Sequence, residues 1–209
     1  MARPRKDAAE PCARSRLIEA FWELVEQGSE AELSVGAVTR TAGCNRGTFY
    51  YHFKDIEELR EAAVDGLLLG DGALVDALWR AAVEGDIDAL TAGALDARLH
   101  RLIVAMDSGS MHLVNRLVRQ AALDRWTRVV YPDGGELAPD ACFAIQFMVS
   151  GIMSLVVAVG YAHEGASPHP VVEIGPHARS YLADVATATV TAVATAQGMD
   201  PADLLARLA

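Results

Sequence analysis

Side chains suited to binding nucleic acid are concentrated in one short segment that ends at Lys54. On helical spacing, one side of this segment exposes Arg46, Gly47, Thr48, Tyr50, Tyr51 and His52. Arginine can donate two hydrogen bonds to guanine O6 and N7, and threonine can contact a thymine methyl group or a phosphate. Glycine lets the backbone come close to a duplex, and tyrosine and lysine suit phosphates. These residue types indicate contact with double-stranded DNA.

Two short helices are predicted to position these side chains. Ser34 is placed as the N-cap of a helix that runs to Thr41, Gly43 breaks the chain, and Asn45 is placed as the N-cap of the next helix. This layout is typical of a helix-turn-helix, in which the first helix braces the second. The inward side of the second helix carries Phe49 and Phe53, and its predicted core partners are Ile18, Phe21, Val35, Val38, Ala42 and Cys44.

The segment from about residue 14 to 60 resembles the DNA-binding domain of the TetR/AcrR transcriptional regulators. The resemblance depends on the run AGCNRGTFYYHFKD at residues 42–55 and on the EEL that begins at Glu57. A preceding helix of the right length and the Ser34 cap complete it. The chain departs from the family at Ile56, where lysine is common, and at Gly36, which offers no side chain for a groove contact.

The resemblance implies which residues meet DNA. It assigns Ser34, Thr39 and Lys54 to the DNA backbone, and it assigns the recognition element to Asn45, Arg46, Gly47, Thr48, Tyr50, Tyr51 and His52. The alternative is an all-α protein-binding or sensor module without DNA binding, because exposed aromatic side chains are also enriched at protein interfaces. No nucleophile or proton-transfer partner is marked beside the acidic residues, so we predict that the chain is not an enzyme.

Composition predicts an all-α fold. The chain has 209 residues, of which 52% are hydrophobic, 22% charged and 6% aromatic, as in globular proteins. Frequent alanine favours helix over sheet because alanine has the highest helix propensity. We expect an N-terminal three-helix helix-turn-helix domain followed by a larger helical domain that binds ligand and dimerises.

The charge is divided unevenly along the chain. Residues 1–60 carry nine basic and ten acidic side chains, whereas the remainder carries nine basic and eighteen acidic ones. Two functional regions are the simplest interpretation of this division. We predict a flexible basic arm at 1–13, a DNA-binding domain at 14–60 and an effector-binding and dimerisation domain at 61–209.

Helical spacing continues through most of the chain. It predicts helices at about 14–27, 56–69, 73–84, 87–106, 111–130, 140–163, 177–197 and 201–208, with turn-rich loops at 131–139 and 164–176. The VATATVTAVATA stretch is rich in β-branched residues, but its alanines and its length favour helix. The 23 residues between Asp140 and Glu164 have no formal charge and could span a bilayer. Internal polar residues and acidic ends favour a protein outside the membrane.

The uncharged helix is apolar on two faces, so both faces need a cover. A second copy of the chain is the economical cover for one of them, which predicts a homodimer. The predicted interface consists of Phe143, Phe147, Ser150, Ser154, Val157 and Tyr161 with the small residues Ala188 and Ala192 of a later helix. Such pairing is typical of TetR-like proteins and would present two recognition helices to a palindromic operator.

The resemblance also implies a small-molecule effector that releases the protein from its operator. Candidate contacts in the C-terminal region are His100, Met106, Met111, His112, Trp126, Phe143 and Phe147. No cofactor is expected. Three dispersed cysteines without CxxC spacing indicate neither a disulfide framework nor a zinc site, which fits a reducing cytoplasm. No metal is predicted at His163, His169 and His177, whose spacing is not a recognised ligand pattern.

Overall fold

A computed structural model describes residues 12–28, 33–86, 95–163 and 176–208 of the chain. All regular structure in these ranges is helical, which confirms the all-α prediction. Contacts divide the chain into two compact units, one ending at Gly66 and the other beginning at Leu67. The predicted arm at 1–13 lies outside the described residues except for its last two positions.

The N-terminal unit is built from α1 (Ala13–Glu26), α2 (Val35–Thr41), α3 (Arg46–His52) and the start of α4 (Ile56–Leu69). Both predicted N-caps are confirmed. The Ser34 hydroxyl accepts a hydrogen bond from the Ala37 N–H at 3.2 Å, and the Asn45 Oδ1 accepts one from the Thr48 N–H at 2.8 Å. Each bond satisfies a backbone donor that a helix start otherwise leaves unpaired, so both helix starts are fixed by residues adjacent in sequence.

The core of the N-terminal unit gathers apolar side chains from all its helices. Phe21 and Trp22 of α1 meet edge to face at 5.2 Å, and Phe49 and Phe53 are buried as predicted. The prediction was wrong by one position at Ile18, which is half-buried, whereas Leu17 is fully buried. The buried face of α1 therefore includes Leu17 in place of the predicted Ile18. Predicted core residues Val35 and Cys44 are only half-buried.

The C-terminal unit contains α5 (Ala73–Trp79), α6 (Leu95–Ala105), α7 (Met111–Val130), α8 (Pro139–His163), α9 (Pro176–Ala196) and α10 (Pro201–Leu208). Two segments depart from regular α-helix. A π-helical turn at Arg80–Glu84 continues α5, and Met106–Ser110 forms a kink between α6 and α7. The predicted helix at 87–106 is seen only from Leu95, because residues 87–94 lie outside the described ranges. Of the predicted loop at 164–176, residues 164–175 also lie outside them, and Pro176 begins α9.

The β-branched stretch of α9 is helical as predicted, and its threonine hydroxyls find their partners within the helix. Thr187, Thr189, Thr191 and Thr195 each donate a hydrogen bond to the carbonyl oxygen four residues earlier, at 2.8 to 2.9 Å. These bonds satisfy the hydroxyls within the helix, so the threonines need no partner strand. The apolar side of α9 then packs on α8 and α10, and the core buries Val190, Val193 and Ala194.

α8 is long and apolar enough to cross a membrane, judged by length and composition over Pro139–Val157. Contacts in the C-terminal unit cover part of that apolar surface. Ile145, Met148, Ile152 and Val156 are buried, and α8 packs against α7 and α9. The helix is therefore a core element of the unit with one face left uncovered, and its composition alone does not establish a membrane span.

A charge-assisted contact anchors the start of the C-terminal unit. Both guanidinium N–H groups of Arg98 on α6 donate to the two carboxylate oxygens of Asp71, which lies between α4 and α5. This pairing, helped by the Ala73 N–H, lowers the pKa of Asp71 from 3.8 to about 2. The contact joins segments 27 residues apart in sequence.

Candidate nucleic-acid interface

The outward side of α3 presents a polar and aromatic surface. Tyr50 is 59% exposed, Tyr51 is 84% exposed, and Arg46 and Gly47 are also exposed. Thr48 and His52 are half-buried at its edges. Large aromatic side chains are seldom left this open without a partner. The structure therefore brings together the residues of α3 that the sequence predicts to meet DNA.

Buried aromatic residues on the opposite side of α3 hold this surface in place. Phe49 is fully buried, and its ring lies 5.5 Å from that of Tyr50 and 5.9 Å from that of Phe53. The Tyr51 and His52 rings meet edge to face at 4.9 Å. The guanidinium of Arg14 lies 5.4 Å from the centre of the Phe53 ring, which ties α1 to the end of α3. The exposed side chains of α3 are thus held in position by the packed aromatic residues on its opposite face.

Two glycines make room for polar groups of the surface. A Cβ atom at Gly47 would lie 3.1 Å from the Asn45 Oδ1 that caps α3. A Cβ atom at Gly36 would lie 3.3 Å from a guanidinium nitrogen of Arg46. Gly36 has no side chain that could contact a DNA groove, but the Arg46 side chain lies close to it. Gly36 therefore contributes to this surface by leaving room for the Arg46 side chain. The local sequence gives no sign of this role.

The three residues assigned to the DNA backbone differ in position. Ser34 and Lys54 are exposed. Thr39, by contrast, is only 5% exposed, and its hydroxyl donates to the Val35 carbonyl at 2.8 Å. The assignment of Thr39 to the DNA backbone is therefore corrected, because its side chain is buried and its hydroxyl is bonded within α2.

Lys54 is held at the junction between α3 and α4. Its backbone N–H donates to the Glu58 carboxylate at 2.5 Å, and the Glu58 N–H donates to Asp55 Oδ1 at 2.9 Å. This reciprocal arrangement is close to a capping box, and it satisfies donors at the start of α4. The negative first turn of α4 also suits the helix dipole. The Lys54 side chain remains exposed beside the α3 surface.

The residues predicted to contact an effector differ in position among the described residues. A cavity of about 40 Å³ lies between α5, α7 and α8, and of the predicted set Trp126 lines it. Met106 is buried elsewhere, Met111 is half-buried, and His100 and His112 are exposed. Phe143 and Phe147 are 72% and 73% exposed. Helical spacing alone placed these residues, and it did not reveal which helix faces meet.

The residues predicted to form a dimer contact lie largely on open helix faces. Phe143, Phe147, Ser150 and Ser154 share one exposed face of α8, at steps of four and three residues. Exposed residues of α9 include the predicted Ala188 and Ala192 and also Tyr181, which the sequence did not single out. Val157 is half-buried, and the side chain of Tyr161 lies outside the described residues.

Metal-binding groups are not clustered in the described ranges, where no group of three or more His, Cys, Asp or Glu side chains has suitable geometry. His169 and the side chains of His163 and His177 lie outside those ranges. Cys12, Cys44 and Cys142 are free thiols.

Comparison with known proteins identifies the N-terminal region. Residues 17–63 match the family model of bacterial regulatory proteins, tetR family. The match spans most of α1, all of α2 and α3 and the first half of α4, and it includes the whole exposed surface of α3. No curated protein and no solved structure matches the chain.

Proposed function

We propose that this chain, a member of the tetR family of bacterial regulatory proteins, is a homodimeric repressor that binds a palindromic operator and is released by a small-molecule effector. The exposed polar and aromatic face of α3, within the region matched by the family, is the single observation that carries the proposal. The proposed role is regulatory, without catalysis, in the cytoplasm.

In this proposal α3 enters the major groove, because a helix with one polar face fits there and can contact base edges. Arg46 is the base-reading side chain, since its guanidinium can donate twice to guanine. Tyr50, Tyr51 and Lys54 contact phosphates and fix the register of the helix. The net charge of −10 does not oppose this role, because most of the acidity lies beyond residue 60.

Dimerisation is supported by the open faces of α8 and α9. Two phenylalanines one turn apart on α8 are almost three-quarters exposed, and α9 offers small side chains that let helices approach closely. A two-fold axis through these faces would join two copies in a four-helix contact. It would also give each operator half-site its own α3.

Release of the operator by an effector requires a structural link from the C-terminal unit to α3. α4 supplies it, because this helix begins just after the α3 surface and continues to Leu69 in the second unit. A coupling of about 1–3 kcal/mol between effector and operator would change operator affinity several-fold to about a hundredfold.

The test is a gel-shift titration of the full chain on the DNA upstream of its own gene. Arg46→Ala should lower sequence discrimination by about 1–3 kcal/mol, whereas Lys54→Ala should weaken all sequences alike and reduce the salt slope by about one. Arg119→Ala, on the exposed side of α7, is the matched control and should change neither. A module that binds only protein would show no salt-dependent affinity for DNA.

A further inference from the structure

The cavity in the C-terminal unit is walled almost entirely by apolar side chains. Trp79 and Trp126 face each other across α5 and α7 with ring centres 5.3 Å apart. The α8 side is formed by Met148, Ile152 and Met153. The volume of about 40 Å³ is far below that of a ligand pocket, which is about 300–1,000 Å³. Methionine is unbranched and adaptable, so an apolar ligand can enlarge the space by moving two flexible side chains.

Two residues of this wall carry polar groups. The indole N–H of Trp126 is buried and has no hydrogen-bond partner among the residues that the structure describes. Leaving a buried donor unpaired costs about 1–3 kcal/mol. The other group is the guanidinium of Arg125, which lies 4.5 Å from the centre of the Trp79 ring and is ion-paired with Asp76. A ligand with a negatively charged group would complement Arg125, which lines both the cavity and the neighbouring groove.

Arg125 also joins the cavity to a positively charged groove. It lines an open groove of about 650 Å³ together with Arg128 and Arg207. Arg207 is held there because its guanidinium donates to the Val130 carbonyl at 3.0 Å. Three arginines around one groove stand out in a region whose acidic side chains outnumber its basic ones two to one. Such a cluster attracts anions and orients them towards the cavity.

We propose that the cavity and groove bind an organic acid with an apolar body, and that this class of molecule is the effector; the effector role rests on the proposed function. The apolar body packs against the two tryptophans and the α8 methionines. The acid group pairs with Arg125 in place of Asp76 and lies towards Arg128 and Arg207. Asp76 is exposed, so water solvates its carboxylate when the ion pair with Arg125 breaks.

Isothermal titration calorimetry of the full chain with three probes tests the binding site. Octanoate has both the acid and the apolar body, 1-octanol lacks the charge, and acetate lacks the body. Octanoate should bind saturably, and 1-octanol should bind at least about tenfold more weakly, which corresponds to about 1.4 kcal/mol. Acetate should show no saturable binding. Equal affinity for octanoate and 1-octanol, or no binding of octanoate, overturns the proposal.

Two variants with opposite expected effects locate the acid group. Arg125→Gln should weaken octanoate binding at least about tenfold, and Asp76→Asn should strengthen it because Arg125 loses its competing partner. Arg119→Gln removes an exposed arginine of the same helix outside the cavity wall and should leave the affinity unchanged. Asp76→Asn retains Arg125, so it tests the site even where Arg125→Gln fails to fold. Weaker binding by Asp76→Asn contradicts the proposal.

A third variant tests the place of the apolar body. Ala122 lines the cavity on α7, and Ala122→Leu should fill the space and weaken octanoate and 1-octanol alike. Unchanged affinity for octanoate in this variant overturns the proposed location.

A gel-shift assay with octanoate distinguishes a failure of this binding site from a failure of the proposed function. Calorimetry needs no DNA, so the site is judged even where the chain binds no operator. Release of the operator by octanoate, lost in Arg125→Gln, supports the effector role. Octanoate that binds but leaves the operator complex intact overturns the effector role.

Discussion

The two units of this protein expose opposite kinds of surface. The N-terminal unit buries its apolar residues and presents polar and aromatic groups on α3, each held by caps and packing within a few residues. The C-terminal unit leaves two phenylalanines of α8 open and contains an apolar cavity lined by two tryptophans. A polar face on a rigid base suits DNA, whereas open apolar surface suits a second protein copy or an apolar ligand.

Removing the buried aromatic ring beneath the exposed surface of α3 should have the largest effect on stability. Phe49→Ala deletes a fully buried ring and should cost about 3–5 kcal/mol of unfolding free energy in a small unit. Chemical denaturation followed by circular dichroism should show early loss of the N-terminal helices while the C-terminal ones persist. Tyr51→Ala is the control, because this exposed side chain should affect DNA affinity and leave stability within about 0.5 kcal/mol. Equal stability of wild type and Phe49→Ala would contradict the role of this ring.

Introducing charge on the open face of α8 should separate the two copies. Phe147→Glu places a carboxylate where the proposed interface is apolar, and burying an unpaired charge is strongly unfavourable. Light scattering should give about twice 22.3 kDa for the wild type and 22.3 kDa for the variant. Glu136→Gln, an exposed change outside this face, should leave the dimer intact. A wild type that stays monomeric at micromolar concentration would refute the interface.

The N-cap of α3 should have a smaller effect. Asn45→Ala removes the acceptor of the Thr48 N–H and should cost about 0.5–2 kcal/mol of stability. Asn45→Ser keeps a capping oxygen and should stay close to the wild type. Urea midpoints of the two variants provide the measurement, and a midpoint for Asn45→Ala equal to that of Asn45→Ser would show that the cap is not needed.

The ion pair between Asp71 and Arg98 should give the smallest effect, and it depends on pH. Because pairing lowers the pKa of Asp71 from 3.8 to about 2, it stabilises the fold above the unfolded-state pKa. That contribution is lost as the pH falls through about 2. Asp71→Asn should therefore lower the Tm at neutral pH, and the difference from wild type should disappear near pH 2. A difference that stays constant from pH 7 to pH 2 would contradict this origin.

The contrast between the units also explains what the sequence could predict. Ser34 and Asn45 were identified as caps because a cap bonds to a backbone group three residues away. The exposed side of α3 followed from helical spacing once that start was known. The same spacing failed at Ile18, which is half-buried, whereas its neighbour Leu17 is fully buried. The resemblance, and not the spacing, assigned the buried Thr39 to the DNA backbone.

Contacts between distant residues could not be predicted from a single sequence. Asp71 meets Arg98 across 27 residues, and Arg125 meets Asp76 across 49. The effector set shows the same limit, since Phe143 and Phe147 turned outward while Trp79 and Met153 turned towards the cavity. Space left by a glycine, as at Gly36, is likewise visible only when the partner side chain is in place.

A footprint of the purified full chain on its own upstream DNA tests the central claim most directly. The account predicts two protected half-sites about one helical turn, or a multiple of it, apart. It also predicts that protection weakens steeply as salt is raised, and that Arg46→Ala loses the preference for this sequence. Absence of protection on this DNA in low salt, by protein that is folded and dimeric, would contradict the account.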